Sequence, residues 1–148
     1  MYAGGVSSPA ARGLTAVQVG PIEGKAGWLV RNALVDRLGG GGSAPRYRLD
    51  VRLDDRLEGL GQLRNDTVSR ERRQLRARYQ LVDLASDEIV LDATAGADAG
   101  IDIVSSEYAT IAAEQTALEN LSREVADRIV TSVALKFRAG PAAGAAQR

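Results

Sequence analysis

Seven arginines in two neighbouring stretches are the side chains best able to do chemistry. In PRYRLDVRLDDRLEGLGQLRND, Pro45 to Asp66, the residues Tyr47, Leu49, Val51 and Leu53 alternate with Arg46, Arg48, Asp50, Arg52 and Asp54. Such alternation is the pattern of a strand with one buried and one wet face. The wet face carries Arg46, Arg48 and Arg52; Arg56 and Arg64 follow, and Arg76 and Arg78 sit on the next stretch of the same kind. A guanidinium is a planar fork that binds phosphate or carboxylate with two hydrogen bonds and tolerates partial burial. This face therefore suits an anionic ligand or the acidic wall of a partner. It also suits a plain solvated surface in a chain that uses Arg in place of Lys, and the residues alone leave both open.

The other chemical candidates are weaker. The chain has no Cys and no His, which removes thiol nucleophiles, Cys/His metal sites and the commonest general base. No enzyme, cofactor or metal site is expected. Asp54, Asp55 and Glu58 could form an acidic cluster, but on a wet strand such acids are expected to pair with neighbouring arginines. Gly39 to Gly42 lacks the lysine of a phosphate-cradling loop and reads as a linker. Asn65-Asp66-Thr67 reads as a hairpin turn.

The positioning elements follow from periodicity. Leu14 to Val19 reads as a first strand, ended by Gly20-Pro21. Lys25 to Leu38 has helical spacing, with Trp28, Leu29, Ala33, Leu34, Val35 and Leu38 as its apolar stripe. Gly39 suits the left-handed residue after its end. Strand two is the opening stretch, with a tip at about Gly59 to Thr67. Strand three runs from about Arg70 to Leu84, with Leu75, Ala77, Tyr79 and Leu81 facing inward. Strand four is Ile89 to about Gly96, and Asp98 to Ser105 is a connection. Ile111, Leu118, Leu121, Val125, Ile129 and Val133 line one face of a long last helix, capped by Ser105 or Ser106 with Glu107 in its first turn. Trp28, Tyr47, Tyr79 and Phe137 are expected in the core.

The fold class expected is α+β: two helices packed on one face of a four-stranded, mostly antiparallel sheet, in the order β-α-β-β-β-α. The first strand joins through a right-handed crossover, and the other sheet face is the arginine face. Residues 14–138 form one domain, after a mobile lead-in, 1–13, and before a disordered Ala/Gly/Pro tail, 139–148. At 148 residues, 45% hydrophobic and 26% charged, the chain can build one core. Nineteen basic and nineteen acidic residues cancel, which is not the footprint of a nucleic-acid binder. Between Arg46 and Arg78, however, ten arginines face six acids, leaving +4. No apolar run reaches the ~20 residues of a membrane-spanning helix.

Three ordered segments resemble one family. GPIEGKAGWLVRNALVDRLGG, with its R-N-x-L-x-x-x-L helix, resembles the first helix of the alphaproteobacterial type of the lipopolysaccharide-assembly lipoprotein family LptE. RYRLDVRL…GLGQLRNDTVSRERRQLRARYQLVDLAS resembles its central hairpin, and SSEYATIAAEQTALENLSREVADRI its terminal helix. The resemblance covers roughly Leu14 to Phe137. It implies a non-enzymatic lipoprotein of the outer membrane, facing the periplasm, with two helices on a four-stranded sheet. It further implies a domain that plugs and helps assemble the LptD β-barrel and binds lipopolysaccharide on its way to the outer leaflet. On that resemblance the arginine face and the hairpin tip, centred on Arg64, would meet a polar barrel lumen and lipid phosphates. Met1 to Gly5 would correspond to residues shortly after an acylated Cys, behind an added Met; the chain as it stands has no Cys to acylate. The competing expectation is a small anion- or nucleic-acid-binding α+β module using the same face. Base stacking on that face would need exposed aromatics, and Tyr47 and Tyr79 fall in the inward register.

Overall fold

Two long alternating stretches build the centre of the molecule. The structure, a computed structural model, describes residues 13–39, 44–62, 68–103 and 106–146. β2 (Tyr47–Gln62) and β3 (Val68–Asp83) pair antiparallel from Tyr47↔Asp83 to Gln62↔Val68. β4 (Glu88–Asp102) adds antiparallel to β3, and the short β1 (Val17–Val19) adds parallel to β2, giving the sheet order β1-β2-β3-β4. α1 (Gly24–Leu38) connects β1 to β2, and α2 (Glu107–Ala146) follows β4. The architecture is α+β with a mixed four-stranded sheet, as the periodicities led us to expect.

The inward register is the expected one. Leu49, Val51, Leu75, Ala77, Tyr79 and Leu81 are buried against Leu118, Leu121, Val125, Ile129 and Val133 of α2 and against Val30, Leu34 and Leu38 of α1. Tyr47 and Phe137 are half-buried and pack against each other, ring centroids 5.0 Å apart. Local signals set the element ends. The Ser106 hydroxyl accepts from the Ala109 N–H at 3.2 Å and caps α2. Gly39 takes φ 80°, and its N–H donates to the Val35 carbonyl. In the β3–β4 turn Asp87 takes φ 62°, a conformation Asp tolerates, while Asp83 Oδ1 accepts from the Ala85 N–H at 2.9 Å.

Five expectations need correction. Trp28 is not in the core; it is 65% exposed. At 100° per residue the buried set Ala26, Gly27, Val30, Ala33, Leu34 and Leu38 defines one face, and Trp28 falls nearly opposite it. Ile111 is 57% exposed, because the stripe on α2 seats on the sheet only from about Ala117 onward. The first strand starts at Val17 rather than Leu14. Residues 13–15 form a helical turn, and pairing begins only where the Ala16 carbonyl accepts the Arg46 and Tyr47 N–H groups at 2.8 and 3.1 Å. β4 continues to Asp102 instead of ending near Gly96, since β3 offers it a ladder throughout and pairing overrides the poor strand propensity of Gly and Asp. The tail from residue 139 is helical to Ala146. The expected lead-in lies, but for Gly13, outside the described residues.

Gly27 shows how tightly α1 approaches the chain that enters it. A Cβ at this position would lie 2.4 Å from the Ile22 carbonyl oxygen and 2.6 Å from its carbon, both backbone atoms. Gly→Ala inside a helix ordinarily gains about 1 kcal/mol. Here the clash reverses the sign, and Gly27→Ala is expected to destabilise by about 1–3 kcal/mol, the usual range for overpacking. Urea denaturation reads this directly; a variant more stable than the parent would show that residues 20–23 can move aside freely.

Candidate anion- and partner-binding face

The pleat decides which charges share a surface. On β2 the outward set is Arg48, Asp50, Arg52, Asp54, Arg56 and Glu58; on β3 it is Arg70, Arg72, Gln74, Arg76, Arg78 and Gln80; on β4 it includes Asp92, Asp98 and Asp102. Both helices pack on the opposite face. The outward face is therefore a two-sign lattice rather than a basic surface, because β4 contributes acids that balance the arginines of β3.

Most of its arginines are engaged within the sheet. Arg48 Nε donates to Asp50 at 3.0 Å, and Arg56 Nε to Asp54 at 3.0 Å. Arg72 Nη2 reaches Glu58 Oε1 at 2.8 Å, and Arg70 pairs with Asp102 at 3.3 Å. Arg78 grips both oxygens of Asp92, at 3.3 and 3.0 Å, and Gln80 Nε2 adds a bond at 3.2 Å. Those donors, Arg78 first and Gln80 second, hold the Asp92 carboxyl below the usual carboxylate range. Exposed pairs of this kind add little stability, but they neutralise charge locally.

Arg52 and Arg76 are different. Among the described residues neither has an ion-pair or hydrogen-bond partner. In the register Arg52 stands opposite Arg78, and Arg76 opposite Asp54, which already accepts from Arg56. Both side chains are exposed. Arg76 lines a polar depression of about 90 Å³ with Asp54, Arg56 and Gln74. Two free guanidiniums thus sit beside a third, that of Arg78, in the middle of an otherwise balanced face. Of the other expected site residues, Arg46 lies just before β2, its guanidinium 5.8 Å from the Tyr47 ring centre. Arg64 lies outside the described residues. The β2–β3 hairpin extends past the end of β4, since Asp102 is opposite Arg70 while β2 and β3 still pair at Gln62↔Val68.

The acids of the Asp54-Asp55-Glu58 stretch pair as expected. Asp54 and Asp55 point to opposite faces, which separates them as a cluster. Among the described residues no group of three acidic, His or Cys side chains is placed to hold a metal ion.

One polar cluster escaped the sequence reading. On the helix-covered face near the tip, Arg73 binds both oxygens of Asp55, at 3.0 and 2.8 Å, and donates to the Glu114 carbonyl of α2 at 3.1 Å. Glu71 lies alongside with its Oε1 buried, and among the described residues no N–H group donates to that oxygen. A hydrogen bond to Glu114, then burial, then the Glu114 charge push the Glu71 carboxyl upward, and Arg73 opposes them. Folding therefore makes Glu71 easier to protonate than it is in the unfolded chain. Its contribution to stability is complete below the ordinary Glu range and is lost as pH rises through the raised value. The available signal was parity: Asp55, Glu71 and Arg73 occupy inward positions where the register otherwise places apolar residues.

Among the described residues the outward sheet face holds no aromatic ring. Tyr79 is buried and Tyr47 packs on Phe137 on the inner side. The exposed rings, Trp28 and Tyr108, are on helices.

Comparison with known proteins bears on the family and the fold. The family model for LptE, described as lipopolysaccharide-assembly, matches residues 14–133. Among solved structures, a putative lipoprotein from Caulobacter crescentus has a TM-score of 0.73 at 24% identity, over 87% of this chain and 96% of that one. A minor lipoprotein from Acinetobacter baumannii gives 0.65 at 14% identity, over 82% and 92%. Rare lipoprotein B from Shewanella oneidensis gives 0.62 at 14%, over 80% and 92%. At these identities the likeness is one of fold. No curated protein sequence matches the chain.

Proposed function

The chain belongs to the LptE lipopolysaccharide-assembly family, and we propose that within it the protein acts as a non-enzymatic plug of the LptD outer-membrane β-barrel, assists that barrel's assembly and binds lipopolysaccharide during delivery to the outer leaflet. The observation that carries this reading is the uncovered sheet face, with its balanced lattice of charges and the free Arg52 and Arg76. A face dominated by charges of both signs suits the polar interior of a barrel better than a lipid surface. Unpaired guanidiniums retain their full capacity for phosphate or carboxylate. The same chemistry at Arg64 would extend the anion-contacting surface to the hairpin tip.

Attachment to the periplasmic side of the outer membrane would come from an N-terminal lipid, as the lipoprotein relatives suggest by name. Among the described residues no helix is long and apolar enough to cross a membrane. The competing nucleic-acid reading loses support from the absence of an aromatic platform on the arginine face.

The deciding experiment isolates the acylated protein from its native outer membrane with an affinity tag. LptD is expected to accompany it in equal amount, and the purified pair is expected to bind lipopolysaccharide. Isolation at high yield without a barrel, together with no lipopolysaccharide binding, sinks the reading.

A further inference from the structure

The sheet has two edges of unlike construction. β1 is three residues long, and beyond it the open flank of β2 is crowded by long charged side chains, Arg52 and Arg56 among them. Short strands and charged side chains are the usual guards against unwanted pairing. β4 differs in that it is long and its charged residues, Glu88, Asp92, Asp98 and Asp102, are all acidic. It runs for 15 residues, pairs only with β3, and contains no Lys, Arg or Pro. Among the described residues its one irregularity is a register shift opposite Leu81/Val82 of β3, between Ile89 and Leu91 near the start of β4. From Ala93 to Gly100 its side chains are Ala, Thr, Gly and one Asp, so another backbone can approach closely. Among the described residues no backbone hydrogen bond joins β4 to anything but its own strand partner and turn.

We propose that the β4 edge is a docking site for an extended segment of a partner protein, added as a fifth strand, with basic residues at two outward positions six apart. Main-chain bonds would supply the affinity and the outward side chains the selectivity. The charge pattern selects the occupant. Asp92 and Asp98 both point outward, six residues apart. Asp92 is shared with Arg78 and Gln80, while Asp98, opposite Gln74, has no partner among the described residues. Directly opposed side chains on paired strands lie about 4.5–5.5 Å apart at Cβ, and opposite charges there are favourable. A Lys or Arg facing Asp98 meets a free carboxylate. Antiparallel pairing with a second copy of this chain centred on Ala95 is disfavoured, because it sets Asp92 against Asp98, like charge against like. The barrel wall cannot be the occupant either, because a closed barrel has no free edge.

The test uses two blocked heptapeptides, Lys-Val-Thr-Val-Thr-Val-Lys and its Glu-for-Lys counterpart, titrated into the isotope-labelled protein at low salt. The basic peptide is expected to bind at least tenfold more tightly, with amide shifts and slowed exchange confined to β4. Asp98→Lys, at an exposed unpaired position, is expected to invert the preference; Asp98→Asn, the milder variant, is expected to weaken the basic peptide several-fold. Circular dichroism checks that both variants fold. Equal affinity for the two peptides, perturbations away from β4, or no binding at millimolar peptide overturns the proposal. So does concentration-dependent dimerisation with β4 amides protected in the absence of peptide, which would make the occupant a second copy. None of these readouts involves lipopolysaccharide or LptD, so the outcome is independent of the plug reading.

Discussion

Leu121→Ala is expected to destabilise the protein by roughly 2–5 kcal/mol, whereas Ile111→Ala, ten residues earlier on the same helix, is expected to change stability by no more than about 0.5 kcal/mol. Leu121 is 2% exposed and packs within the core formed with the inward rows of β2 and β3. Removing its side-chain atoms loses their transfer free energy and leaves a cavity that two long strands and two helices cannot fully close. Ile111 stands one turn before Glu114, where α2 meets the sheet through the polar contact to Arg73 rather than through apolar packing. Urea denaturation gives both values, with the midpoint lowered and the slope unchanged for Leu121→Ala. A loss below about 1 kcal/mol at Leu121, or an equal loss at Ile111, would mean that α2 sits in a different register on the sheet.

The pair also shows what periodicity can and cannot deliver. Ile111 and Leu121 belong to one apolar series in sequence, and only the sheet decides where the helix begins to seat on it. Alternation was legible in β2 from Tyr47 to Asp54 and in β3 from Gln74 to Leu81, where apolar and polar residues change places every residue. Nearer the tip, where Gly59 to Gln62 were expected as turn and are strand, Asp55, Glu71 and Arg73 break it. The far half of β4 was not legible: Ala97, Asp98, Ala99 and Gly100 carry little strand propensity, and the ladder with β3 supplies what propensity does not. Trp28 was misplaced by residue type, since a large apolar ring looks like core until its angle around α1 is computed. The candidate site was legible as a set of arginines and not as a set of pairs. Arg48 and Arg56 are neutralised by acids two residues away on their own strand, whereas the pairing of Arg78 with Asp92 depends on the register of β3 with β4. Hence Arg48, Arg56 and Arg78, equal to Arg52 and Arg76 in the sequence, are unequal in the fold.

That inequality sets the functional prediction. The double variant Arg52→Asp with Arg76→Asp is expected to weaken lipopolysaccharide binding by about tenfold or more at low salt, an order of magnitude typical of losing charge-assisted contacts at a partly screened surface. Arg48→Asp, whose partner Asp50 already occupies it, is expected to do much less. The double variant should fold normally, because both side chains are exposed and bond to nothing among the described residues; it also removes like-charge crowding beside Arg78. Raising the ionic strength from low to physiological should shrink the difference between parent and variant, since exposed charges are screened over about 8 Å at 0.15 M salt. Arg64→Asp separates the tip from the face. A several-fold loss there, with the double variant unaffected, assigns anion contact to the tip and leaves the sheet face to a barrel wall. A loss in the double variant alone assigns it to the centre of the sheet. Parent-like binding by all three variants at low salt removes the anion-binding role from this surface. Arg52 and Arg76 would then be ordinary solvated side chains, unpaired because Arg52 stands opposite Arg78 and Arg76 lies between Gly96 and an Asp54 already engaged by Arg56.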